Sequence, residues 1–79
     1  MMIATMPITA EMVEQELHRV SILSFRQEQT VIEVVLSYDL PAARLAEFAD
    51  AMKAECVSGR PFTAYGAAHH ICASLTPAA

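Results

Sequence analysis

The stretch from Thr30 to Gly59 constrains this chain most, because a strand-like run, TVIEVVLSYD, passes directly into a helix-like run, LPAARLAEFADAMKAECVSG. In a pleated strand, Ile32, Val34, Leu36 and Tyr38 would fall on one face and Val31, Glu33, Val35 and Ser37 on the other. In the following run Leu45, Phe48, Ala49, Met52 and Cys56 recur at spacings of three and four. Asp39 can cap that helix, Pro41 suits its first turn, and Gly59 with Pro61 beyond it makes a left-handed stop. A strand that hands over to an amphipathic helix is half of a split βαβ unit.

The rest of the chain extends this reading. Thr9 is placed to cap a helix from about Ala10 to His18, with Glu11 and Glu14 in its first turns and Ala10, Val13 and Leu17 on its apolar side. Arg19 to Phe25, RVSILSF, is rich in residues that favour strands, and Arg26-Gln27-Glu28-Gln29 is polar enough to turn. Ile71, Ala73 and Leu75 alternate like a final strand, within a segment from Phe62 that is broken by Gly66 and Ala67-Ala68. Met1 to Ile8 reads as a first edge strand, limited by Pro7. The predicted order is βαββαβ, or αββαβ without the first strand: an α+β, ferredoxin-like sandwich with two helices on one face of an antiparallel sheet. Residues 1–79 form one domain, with 1–8 and 76–79 loose.

A chain of 79 residues buries only about 60% of the surface that its unfolded form exposes. Yet 54% of its residues are hydrophobic and 18% charged, which gives more apolar surface than one small core can hide. Nine acidic against five basic residues give a net charge of −4, and Arg19, Arg26, Arg44, Lys53 and Arg60 are scattered. That pattern opposes direct binding to a nucleic-acid backbone. No window approaches the ~20 apolar residues of a membrane span. The start, MMIATMPITAEMV, lacks a basic leader, and Cys56 and Cys72 read as structural thiols, so the expected compartment is the cytoplasm.

Residues suited to chemistry are few. His69-His70-Ile71-Cys72 has metal-ligand character, and on a strand His70 and Cys72 would share a face, with His18 or Glu33 as a third ligand. The spacing is unlike that of structural zinc sites, so neither a metal nor a cofactor is expected. Cys72 or Ser74 beside His70 lacks the sharp elbow and orienting carboxylate of a nucleophilic site. Two glycines, Gly59 and Gly66, cannot build a phosphate-cradling loop. The chain therefore reads as something other than an enzyme.

What remains is an interaction module that acts sterically, as an inhibitor or adaptor of a larger protein complex. The expected contact surface is an open sheet face with Ile22, Val31 and Val35 as anchors and Glu28 and Glu33 as polar contacts. The loop with Arg60, Phe62 and Tyr65 is a second candidate, balanced against the same aromatics packing inward. The expected partner is another protein or a second copy of this chain. Phage-encoded inhibitors of bacterial defence, anti-CRISPR proteins among them, share this size and composition, an analogy that rests on no motif. Two alternatives stand beside this reading. One is a ferredoxin-like module for a small ligand or for a metal held by His70 and Cys72. The other is a small dimeric isomerase or monooxygenase using His69 or His70 as acid or base.

Overall fold

A computed structural model describes residues 8–38 and 40–76. It is helical throughout, and no strand occurs among the described residues. The ferredoxin-like α+β sandwich, in either strand order, is overturned. The first-strand expectation at Met1 to Ile8 lies outside the described residues apart from Ile8, which packs against the core, and so does the cap expected at Asp39.

Helix α1 spans Ala10–Val20. The Thr9 hydroxyl accepts the Met12 N–H at 3.2 Å, the cap that its position called for. At the other end Ser21 takes a left-handed conformation, φ 52°, and donates its N–H to the Leu17 carbonyl at 3.0 Å. Arg19 and Val20, expected in a strand, therefore finish the helix. Ile22 and Leu23 lie in the connector and pack half-buried against the core.

Helix α2 spans Phe25–Ser37, where the sequence reading placed the end of one strand, a turn and a second strand. Its start is a capping box: Ser24 Oγ accepts the Gln27 N–H at 3.3 Å, and Gln27 Oε1 accepts the Ser24 N–H at 2.9 Å. Val31, Ile32, Val34 and Val35 are buried, a set that covers both faces of the supposed strand. On a helix the same four positions form one broad stripe. The strand preference of β-branched residues is a weak prior, and tertiary packing overrides it here.

A 3-10 turn, Ala42–Arg44, leads into α3, Leu45–Val57. Leu45, Phe48, Ala49 and Met52 are buried as their spacing predicts, whereas Cys56 is half-buried. Gly59, at φ +80°, makes the left-handed turn after this helix. Helix α4, Ala64–Leu75, replaces the expected last strand. Thr63 caps it by accepting the Gly66 N–H at 3.1 Å, and Ala64, Ala68, Ile71 and Cys72 face inward at helical spacing.

Helix α1 lies beside α2 and α3, and α4 lies beside the same two, so the helices surround one core in the order α1, α2, α4, α3. Phe48, Leu17, Met52, Val13, Val31, Val35 and Cys72 fill it. Full burial of each large side chain contributes about 1.5–3 kcal/mol. Two seams follow from this order, α1 against α2 and α2 against α4, and the side chains of chemical interest sit on them.

Candidate functional site

At the α1–α2 seam three potential ligand groups converge. Glu14 and His18 stand one helical turn apart on α1 and therefore share a face. Glu28, in the first turn of α2, points into the same seam, and one ligand atom from each of the three lies within 4.8 Å of the others. His18 Nε2 and Glu28 Oε1 are 3.0 Å apart. The backbone favours this placement at both ends. A carboxylate in the first turn of α2 meets the positive end of that helix, and the His18 ring, a cation when protonated, stands in the last turn of α1 at its negative end.

The environment of the two partners differs. Glu28 is only 5% exposed, the charged residue that the fold buries among the described residues. The His18 side chain is 60% exposed. One side of the cluster is thus held in the protein and the other is open to water. A cleft of about 490 Å³ runs beside it, lined by Ala10, Glu11, Glu14, Gln15, Gln29 and Ile32. Glu14 belongs to both the cleft and the cluster, so an ion has a route in.

The α2–α4 seam carries a second, smaller groove of about 280 Å³, lined by Thr30, Glu33, Val34, Ser37, Tyr65 and His69. His69 is wedged between two aromatic rings, Tyr65 with centroids 4.5 Å apart and Tyr38 at 5.5 Å, both edge-to-face at 67°. The Tyr38 hydroxyl lies 2.9 Å from His69 Nδ1. These contacts pack the imidazole between the two rings and leave Tyr65 61% exposed at the rim.

The structure redistributes the residues named from sequence. Val31 and Val35, expected on an open sheet face, are 0% and 1% exposed in the core, because α2 turns both toward its neighbours. The open sheet face is thus corrected: no sheet exists among the described residues, Glu28 is buried with them, and Ile22 is half-buried. Glu33 is exposed and lines the groove. Arg60 is exposed and pairs with Glu55 at 3.1 Å. Phe62 packs against the core while Tyr65 faces out, so the two aromatics of that loop divide between the two readings.

His70 and Cys72 do not share a face, since two residues on a helix are turned about 200° apart. His70 is exposed and Cys72 buried, with its thiol pushed up to about 11 by burial. Cys56 is half-buried and its thiol is raised too, first by burial and then by the nearby Glu55 charge. Neither thiol has the lowered value of a nucleophile. Sequence reasoning missed the α1–α2 cluster, although the Glu14/His18 spacing was visible on a correctly expected helix. Glu28 was assigned to a turn, and only α2 as a helix brings it there. The Tyr38–His69 contact joins residues 31 apart and had no local signal.

Comparison with protein-family models, with curated proteins and with solved structures gives no match for this chain. Among the described residues no helix is long and apolar enough to cross a membrane.

Proposed function

We propose that this chain is a small helical interaction module that works by contact, and that its partner-binding surface is the α2–α4 groove and its rim. The observation that carries this reading is the exposed aromatic Tyr65, held in place by His69 at the edge of a groove floored by Val34 and flanked by the Glu33 carboxylate. A rigid aromatic beside a single carboxylate suits a basic side chain of a protein partner, which can stack on the ring and pair with the acid. The net charge of −4 favours the same class of partner through long-range attraction. Leu36, 45% exposed one helical turn beyond Glu33, adds apolar area on α2.

In this reading the molecule covers part of a larger protein, as an inhibitor or adaptor, in the cytoplasm. Cys72 supports the compartment, because a thiol enclosed in the core behaves as a small hydrophobe and has no disulfide to make. A photo-crosslinking residue placed at Tyr65, and another at exposed Ala43, tests the surface in cells of the source organism. One protein should be captured from position 65 and not from 43, and Glu33→Lys should abolish that capture while the helical spectrum persists. Equal capture from both positions, or capture indifferent to Glu33→Lys, sinks the assignment. A second copy of this chain is the alternative occupant, and the mass of the cross-linked product distinguishes it.

A further inference from the structure

The structure assigns to Glu14, His18 and Glu28 a binding site for one divalent transition cation of the zinc type at the α1–α2 seam. Two carboxylates and one imidazole suit zinc and its neighbours, whereas calcium and magnesium prefer all-oxygen coordination with six or more ligands, water included, and have little use for an imidazole nitrogen. The charges also fit: two carboxylates and a neutral imidazole balance a dication.

Geometry gives the second step. In a tetrahedral zinc site with bonds near 2.0–2.2 Å, neighbouring ligand atoms lie about 3.3–3.5 Å apart. The His18 Nε2 to Glu28 Oε1 separation, 3.0 Å, is already close to that, and the whole triad lies within 4.8 Å. A hydrogen bond joins the pair. The ion would take its place, and the imidazole would bind through Nε2 in its neutral form with its remaining proton on Nδ1, a second proton passing to solvent where the ring starts out protonated. Rotation of the Glu14 side chain at the cleft wall closes the third bond, and water occupies the fourth position on the exposed side of His18.

Burial is the independent observation. Glu28 is nine-tenths enclosed, and among the described residues its side chain has no hydrogen-bond partner except His18, which is charged only when protonated. A buried carboxylate is costly unless it is paired or bound to a metal. A valine or leucine would fill this core-facing position of α2 at no such cost. The inference does not depend on the α2–α4 groove being a partner surface, and the two stand or fall separately.

Calorimetric titration of the tag-free full chain with zinc alone tests the site. One ion should bind per chain and raise the melting temperature, because it binds the folded form. Glu14→Gln leaves the His18–Glu28 pair intact and should weaken zinc by at least roughly 10–100-fold, since even loss of a residue that merely orients a ligand costs that much. His18→Asn should do the same, and His70→Ala should change nothing. Cobalt in place of zinc should show a d–d spectrum without a thiolate-to-metal band, which separates this site from one using Cys56 or Cys72. No uptake, uptake indifferent to Glu14→Gln, a thiolate band, or magnesium and calcium competing at parity with zinc would each overturn the proposal.

Discussion

Glu28 is enclosed at a position where α2 otherwise presents Val31, Ile32, Val34 and Val35 to the core, and His18, with which it pairs, leans in from the solvent side. Replacing a buried ion pair by apolar side chains is often neutral or stabilising by about 1–4 kcal/mol, and removing one partner is costly chiefly where the charge left behind is buried, whereas the His18 side chain is 60% exposed. Glu28→Met should therefore match or exceed the parent in a urea titration while abolishing the zinc-induced rise in melting temperature. A clear loss of stability would mean that the ion pair itself holds the seam. The two thiols make a different case at the same scale. Cys72 is closed off and its thiol is raised from the ordinary 9.0 to about 11 by burial, while Cys56 reaches the surface. A disulfide reagent at pH 8 should modify Cys56 in the native chain and Cys72 only after denaturant is added. The unfolded chain releases the Cys72 proton near 9 and the folded chain near 11. This contribution to stability is thus intact below pH 9 and is lost as the pH rises from 9 toward 11. A parent protein whose melting temperature falls over that range, against a Cys72→Val variant that falls less, is the expected result.

The helices owe their boundaries to hydroxyl caps, Thr9 for α1, Ser24 for α2 and Thr63 for α4. Removal of one such cap costs about 0.5–2 kcal/mol. Ser24→Ala and Thr63→Ala should each lower the unfolding free energy from a urea titration by an amount in that range, through a lower midpoint at an unchanged slope. Gly66 is tied to one of these caps. A Cβ there would stand 2.8 Å from the Thr63 Oγ1 that accepts the Gly66 N–H, so Gly66→Ala should fail to deliver the roughly 1 kcal/mol that alanine normally gains over glycine in a helix. The elements also show what was legible and why. Helix α3 was readable because its apolar residues keep a clean spacing of three and four and Gly59 ends it; α1 was readable from Thr9 and its acidic first turn. Helices α2 and α4 were not, because Val31, Ile32, Val34, Val35 and Ile71 carry strand preference and the alternation test accepts any dense apolar run. The capping box at Ser24 and Gln27 was the local signal for α2, and it went unread beside the polar residues that resembled a turn. Without α2 as a helix, neither Glu28 nor the groove at Glu33 and His69 could be placed.

At the scale of the molecule the helices share one small core, and its largest fully buried side chain sits on a helix that packs on two others. Phe48 of α3 is wholly enclosed, and α3 packs on both α1 and α4. Truncation of such a phenylalanine costs about 3–5 kcal/mol, whereas a domain of 79 residues is stable by roughly 4–12 kcal/mol at 0.05–0.15 kcal/mol per residue. Phe48→Ala should therefore leave the fold marginal, with a large unfolded population below the parent's melting temperature. That makes it a sensitive background for the seam chemistry. A ligand that binds only the folded chain stabilises it by about 2.7 kcal/mol at a hundred times its dissociation constant, enough to restore much of what the truncation removes. Saturating zinc should return helical circular dichroism to Phe48→Ala and should fail to do so in Phe48→Ala combined with Glu14→Gln. The double variant matters because Glu14 lies in the α1–α2 seam and Phe48 on α3 across the core. If zinc rescues only the single variant, the ion stabilises the folded chain through the seam site that holds Glu14.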